Sequence, residues 1–282
     1  MPLLISSMTG GYADAERINR ELAEVCETFK IPMGVGSQRQ AMENSTYHAS
    51  FKAVRMSAPS VPILSNIGAA EVAQLHSSDR IEKIIDLIEA DALYIHINPL
   101  QELLQPEGSP NFRGVLVGIE RLVKSLSIPV FVKEVGAGIS KQVAKRLLDV
   151  GVNGIDVAGA GGTSWAGVEI LRNKEQNSVL QFWEWGIPTV ESLLQVASLK
   201  PQFDFTLISS GGIHSANDIA LSIAFGADCI AMARPLLQTL IQSGQLGLEK
   251  KLNSLSLDLR RIMFLIGAPD CKSIRSAEVV KK

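Results

Sequence analysis

Residues 128–157 read IPVFVKEVGAGISKQVAKRLLDVGVNGIDV, and this run decides the fold. The apolar piece 128–132 is short and β-branched, which suits a buried strand better than a helix. It ends at Lys133-Glu134 and a Gly136-x-Gly138 turn. Ser140 then stands where a helix cap belongs, and the helix it starts runs through Val150 to a second strand at 152–157. A strand, a crossover helix and another strand imply parallel pairing, since antiparallel neighbours need only a tight turn.

The same unit recurs in both directions. Towards the N-terminus, strands are expected at 1–6, 32–35, 61–64 and 92–97. Their loops are SSMTGG, then 34–39, then 65–68, then the stretch after His96. A first helix is read from the spacing of Ile18, Leu22, Val25, Cys26 and Phe29, with Asp14 as its cap. Another spans 80–89, with Ile81, Ile84, Ile85 and Ile88 on one face, and a third spans 114–126; 47–56 reads as a polar segment. Towards the C-terminus, the strand at 152–157 opens into the longest glycine-rich loop, AGAGGTSWAGVE. Strands at 205–208 and 228–232 follow, with helices at 189–199 and 215–225 and an amphipathic terminal region. Eight strand-then-helix units predict one domain over 1–282, a single (β/α)8 TIM barrel, a fold that typically takes about 250 residues.

Composition narrows the function. The charge is nearly balanced, 27 Lys and Arg against 29 Asp and Glu, which gives nucleic acid or a membrane surface nothing to read. The sequence carries no leader pattern and no apolar span of about 18 residues, so a soluble cytoplasmic protein is expected. Cys26, Cys229 and Cys271 are far apart and lack CxxC spacing, which suits a reducing compartment.

In such barrels function gathers at the C-terminal ends of the strands. Each polar cluster of the sequence falls there: Met8-Thr9, 37–39, Ser65-Asn66, 96–102, Lys133, Thr163-Ser164, Gly211-Gly212 and Ala233-Arg234. The densest is IHINPLQELLQPEG at 95–108. There Glu102 can hold a hard cation, and Gln101 can orient a ligand or pass a proton without carrying charge. The bland alternative makes Gln101, Glu102 and Gln105 the solvated face of a short helix starting near Pro99. After the seventh and eighth strands, Gly211-Gly212 and Ala233-Arg234 fit a phosphate cradle made by backbone N–H groups. Lys133 can place a cation beside an anionic ring, its plainer role being a surface lysine. Arg39 can bind a second anion or simply pair with Glu43.

SSMTGG, MGVGSQR, SNIGA, IHINPLQELLQPEG, VKEVGAGIS, DVAGAGGTSW and SSGGI, in this order, resemble type 2 isopentenyl-diphosphate isomerase, the flavin-dependent family. The resemblance runs from Pro2 to about Ala233. It implies reversible conversion of isopentenyl diphosphate to dimethylallyl diphosphate with FMN, NADPH as reductant and Mg2+, by a homo-oligomer (tetramer or octamer). FMN contacts then fall on Ser7, Met8, Thr9, Ser37, Asn66, Lys133, Thr163, Gly211, Gly212, Ala233 and Arg234. The substrate diphosphate falls to Ser37, Gln38 and Arg39, with His96 and Asn98 nearby. Gln101 lies by the reacting carbons as the catalytic residue, and Glu102 holds Mg2+. Relatives carry an N-terminal extension with an Arg-Lys pair near the diphosphate, whereas this sequence starts at the first strand. A start codon assigned too late is expected; taken literally, the sequence predicts weak substrate binding and poor stability.

Two other readings stand beside this one. An FMN-dependent 2-hydroxyacid oxidase shares the scaffold, but it needs a histidine base where the loop AGAGGTSWAG has none, and His214 reads as a surface residue. A flavin-binding barrel without turnover is the non-catalytic alternative. Trp165, Trp183 and Trp185 read as packing or subunit contacts, with Trp165 also able to line an isoprenoid pocket, and the apolar run 179–187 as an oligomer contact.

Overall fold

The computed structural model describes residues 1–172 and 177–280. Eight strands, β1 (Leu3–Ile5), β2 (Met33–Gly34), β3 (Ile63–Gly68), β4 (Ala92–Ile97), β5 (Val130–Glu134), β6 (Gly154–Asp156), β7 (Thr206–Ser209) and β8 (Cys229–Met232), close into a parallel barrel in sequence order. Closure is made by β1 against β8, with Leu3 opposite Ile230 and Ile5 opposite Met232. The expected (β/α)8 architecture is therefore present.

The pleat sorts the strand residues into two sets. Leu3, Ile5, Ile63, Leu93, Ile95, Val130, Val132, Ile155, Leu207 and Ile230 join the large cluster beneath the helices. The alternate positions Leu4, Leu64, Ala92, Tyr94, Ile208 and Ala231 form a separate small cluster that fills the barrel, with Phe131 and Cys229 against it. Tyr94 and Phe131 meet edge to face at 6.0 Å between ring centroids. A one-residue slip would exchange the two sets, so burial of both fixes the register. Continuing the inner parity towards the strand ends gives His96 on β4, Lys133 on β5, Asp156 on β6 and Ser210 just past β7. Polar residues thus cap the apolar lumen.

Several local expectations are corrected. β3 continues through 65–68, expected as loop, because its neighbour β4 pairs with it as far as Gly68 opposite His96. The polar segment 47–56 contains the helix His48–Ser57, which buries Phe51 and Val54; its apolar face is too narrow to dominate the composition. Asp14 sits at the N-cap of Ala15–Phe29, but its carboxylate pairs with Arg17 at 2.6 Å rather than capping. The glycine-rich loop after β6 ends sooner than read, at a helix over Trp165–Arg172. Ser140 does cap its helix, accepting from the N–H of Val143 at 3.3 Å, and Ser215 forms a capping box with Asp218. The terminal region is the helix Arg234–Leu265, kinked at Gly244. Among the described residues, no helix is long and apolar enough to cross a membrane.

Candidate active site

Asn98 follows β4, and Pro99, placed where a helix needs no donor, starts the short helix Pro99–Leu104. The helix foreseen in the bland alternative exists, but its charged residue is not solvated: Glu102 is 7% exposed. Glu102 accepts from Asn98 Nδ2 at 3.1 Å and from the Ser109 N–H at 2.7 Å. Asn98 Nδ2 also reaches Gln101 Oε1 at 3.2 Å, and Gln101 Nε2 lies 3.3 Å from Glu169 Oε1. Glu169 is buried and paired with Arg172 at 2.7 Å. The structure therefore brings Asn98, Gln101 and Glu102 into one network, with Glu169 as a member the sequence reading missed. Gln101, Trp165 and Trp185 line one small cavity, while a cleft of about 620 Å³ opens beside it between Pro99, Ile139 and Ile187.

His96 occupies the inner layer, in register with Gly68 on one side and Lys133 on the other. Its Nδ1 is 2.9 Å from Asn66 Oδ1, while Asn66 Nδ2 donates to the Val35 carbonyl at 3.0 Å. Since the Asn66 oxygen can only accept, His96 carries its proton on Nδ1 and leaves Nε2 as an acceptor. Burial, reinforced by Lys133, pushes its pKa down to about 3. In the free protein His96 is neutral.

Lys133 is no surface lysine: it is buried in the lumen, with its ammonium donating to the Glu134 carbonyl at 2.8 Å. Burial pushes its pKa down, opposed by Asp156 and Glu134. Asp156, fully buried, accepts from Ser210 Oγ at 2.5 Å, the Ala158 N–H at 3.2 Å and the Tyr94 hydroxyl at 3.4 Å. Burial raises its pKa against the pull of Lys133 and those three donors. The Glu134 carboxylate takes the N–H groups of Val135, Gly136 and Ala137 at 2.5–2.7 Å, fixing the turn behind Lys133. Asp156 and Glu134 were also missed as site residues. A single acid inside an otherwise apolar strand, GIDV, was the available signal.

The opposite wall is built of backbone. Gly211 and Gly212 have φ of +100° and +77°, and a Cβ on either would fall 2.2 Å from the Gly159 carbonyl or 2.4 Å from that of Gly161. Only glycine fits this close approach of the loops after β6 and β7. The Thr189 hydroxyl donates to the Gly211 carbonyl at 2.6 Å, pinning the turn. Ala233 leads into the N-terminus of Arg234–Leu265, and Arg234 is exposed. Thr163 is half-buried, its carbonyl standing 2.8 Å from where a Cβ on Gly136 would fall.

The residues expected after β1 and β2 divide. Ser7 Oγ is buried without a partner, as is Asn98 Oδ1. Met8 packs against the core, and the buried Thr9 hydroxyl bonds to Asn19 in the barrel wall. Ser37 and Arg39 are exposed at the rim, Arg39 being 3.6 Å from Glu43 and 3.3 Å from Glu71. Gln38, between them in sequence, is buried. Its carboxamide donates to the Ile84 carbonyl at 3.0 Å and accepts from Ser65 Oγ at 2.5 Å and the Asn66 N–H at 3.1 Å. These bonds brace β2 against β3 and leave one N–H of the carboxamide, together with its position between Ser37 and Arg39, to serve the diphosphate. His214 is exposed, as expected.

These features accommodate a flavin mononucleotide: a glycine turn with no room for side chains beside a helix N-terminus, a buried cation across from it, and the unpartnered Ser7 hydroxyl between β1 and β2. For Mg2+, one buried carboxylate, Glu102, suits an ion that keeps most of its shell for water and phosphate oxygens. Comparison with known proteins agrees with the flavin. Residues 108–281 match the family model of FMN-dependent dehydrogenase. The chain is 48% identical over 295 residues to an isopentenyl-diphosphate delta-isomerase of Chlorobaculum parvum, covering all of this chain and 82% of that one. It is 45% identical over 284 residues to the protein of the same name from Pseudescherichia vulneris, covering 99% and 80%. Among solved structures, it resembles a lactate oxidase of Pediococcus acidilactici, at 15% identity and TM-score 0.70 over 99% of this chain and 75% of that one. It also resembles the (S)-mandelate dehydrogenase of Pseudomonas putida, at 17% identity and TM-score 0.68 over 97% and 78%. At such identities these two likenesses speak to the fold alone.

Proposed function

The chain belongs to the FMN-dependent isopentenyl-diphosphate delta-isomerase family, and we propose that it interconverts isopentenyl and dimethylallyl diphosphate in isoprenoid biosynthesis, using reduced FMN and Mg2+. The observation that carries this reading is the pairing of a buried lumenal cation, Lys133, with the closed network Asn98–Gln101–Glu102 just past the end of the neighbouring strand β4. Moving the double bond adds a proton at one carbon and removes another two bonds away, with no net redox change. A reduced flavin bound in the mouth supplies a proton-exchanging ring beside the olefin, and NADPH serves only to keep it reduced.

The protein's own groups hold the partners in place. Lys133 offers a positive charge to an anionic ring inside a water-poor lumen, where such a charge counts for more than at a surface. The turn at Gly211-Gly212, with Ala233 and Arg234 beside it, receives the cofactor phosphate, and Ser7, Met8, Thr9, Ser37, Asn66 and Thr163 bound the rest of that site. Ser37, Gln38 and Arg39, with Asn98 nearby, take the substrate diphosphate, and Glu102 holds the metal that neutralises it. His96 joins them as a neutral group unless the diphosphate draws a proton onto Nε2. Gln101, oriented between Asn98 and Glu169, presents a carboxamide to the carbon chain without competing for its protons. Trp165, 42% exposed on the cavity wall, covers the apolar tail. We further assign the protein to the cytoplasm, consistent with its free cysteines, as a homo-oligomer that covers the exposed Leu180, Trp183 and Trp185.

The test is anaerobic turnover of isopentenyl diphosphate with FMN, Mg2+ and NADPH, each omitted in turn. Formation of dimethylallyl diphosphate that needs all three is the expected result. A chain that binds FMN yet yields no isomer under any combination would refute the reading.

A further inference from the structure

Asp156 is the most deeply buried acid of the mouth. It is in register with Lys133 on the neighbouring strand, so both side chains leave the sheet on the same side, into the lumen. Three donors converge on its carboxylate from three different places in the barrel: Tyr94 from β4, Ser210 from the end of β7 and the Ala158 N–H from its own strand end. Two hydroxyls and an N–H pointing at one carboxyl group match an ionised, acceptor-only form, and the 2.5 Å contact to Ser210 has the length of a charge-assisted bond.

We propose that Asp156 is a positioning residue for both walls of the mouth: its charge keeps the Lys133 ammonium protonated inside the lumen, and its bond to Ser210 fixes the turn that continues into Gly211 and Gly212. The other groups around Lys133 are spent or neutral. Glu134 gives its carboxylate to three N–H groups of its own turn, and only its carbonyl reaches Lys133. His96, on the β4 side, is neutral, and Tyr94 is held in its phenol form by burial. The Cys229 thiol on β8 is pushed up to about 12 by burial and Asp156, so it too is uncharged. That leaves Asp156 as the carboxylate that compensates a cation whose pKa burial pushes down. The Ser210 bond works on the backbone. Ser210 offers its carbonyl to the Gly159 N–H at 3.0 Å while its hydroxyl is tied to Asp156, so the residue before the two glycines is fixed at both ends.

The consequence for cofactor binding rests on the flavin reading, but the titration of Lys133 does not, and the test separates them. D156N keeps an acceptor for Ser210 and removes the charge, D156E keeps the charge, and S210A cuts the turn while sparing the charge. The apparent pKa of Lys133 is read in each whole chain from the pH dependence of amine acylation, quantified on the Lys133 peptide by mass spectrometry, alongside FMN affinity by fluorescence quenching. In D156N the Lys133 pKa is expected to fall by about 1–3 units, the range one opposite charge commands. D156E restores it, S210A leaves it unmoved, and FMN affinity falls about tenfold in both D156N, through the weakened Lys133 charge, and S210A, through the lost hydrogen bond that fixes the turn. A Lys133 pKa unchanged in D156N overturns the proposal. So does a wild-type Lys133 already neutral at pH 7, a result that needs no folded variant. Failure of every chain, wild type included, to take up FMN would instead sink the flavin reading and leave the Lys133 titration to decide this one.

Discussion

The mouth of this barrel has two halves built on opposite principles. From β3 to β6 the strand ends carry side chains that are held by hydrogen bonds: His96 on Asn66, Asn98 on Glu102, and Asp156 on Ser210, which reaches it from just past β7. From β7 to β8 the wall is the turn at Gly211 and Gly212 with Ala233 beyond it, and at the two glycines backbone stands so close to backbone that a methyl group has no place. The first half can be tuned by protonation, and the second cannot. A reaction that moves protons beside an anionic phosphate needs both, kept apart.

Removing the buried cation should have the largest effect. Lys133→Met takes away the charge facing the ring but leaves a side chain that packs in an apolar lumen. FMN affinity is expected to drop about 100-fold, close to 3 kcal/mol, with the fold intact or slightly more stable, as when buried charge is replaced by methylenes. Equal affinity in fluorescence titrations of the two proteins would remove Lys133 from the site. The backbone half should fail differently. Gly211→Ala forces a Cβ against the Gly159 carbonyl at a φ of +100°, a strain of about 1–3 kcal/mol. It should appear as a lower urea midpoint in the free chain and as weaker FMN binding together. A variant as stable as the parent would mean the turn is looser than its geometry.

The two halves were also unequally legible. The strand-to-helix rhythm around 128–157 gave the barrel, and glycine pairs at strand ends marked the backbone half, because tight turns leave their signature in local composition. The side-chain half was seen only where polar residues crowd together, as in 95–108. Asp156 and Glu134 were passed over because each is an isolated acid whose partners, Ser210 and Tyr94 for one and its own loop for the other, are set by register and not by spacing. The bonds of Gln38 into the wall were hidden for the same reason: its neighbours in sequence face the rim, but its carboxamide turns towards Ser65 and Ile84. Glu169 lay hidden in a loop that is in fact the start of a helix.

Smaller effects sharpen the contrast. His96 titrates at 6.5 when free and at about 3 when folded, so the unfolded chain binds its proton more readily through that window. Stability is therefore kept above pH 6.5 and lost as pH falls towards 3, by about 1–2 kcal/mol between pH 6.5 and 5. His96→Gln should flatten that slope, measured as urea midpoints against pH; an unchanged slope would assign it to other groups. Ser7→Ala should act least. It removes a buried hydroxyl that has no partner, so the free chain should gain about 1 kcal/mol while FMN binds more weakly. Loss of stability in the free chain would mean the hydroxyl is already satisfied.

The most direct test of the whole account is proton traffic at the substrate. Isopentenyl diphosphate is incubated anaerobically in D2O with the chain, Mg2+ and chemically reduced FMN, and followed by NMR. Deuterium is expected in the newly formed methyl group of dimethylallyl diphosphate, with the flavin reduced at the end as at the start. A chain that leaves the olefin unlabelled and unmoved, yet reduces oxidised FMN at the expense of a 2-hydroxyacid, would contradict it.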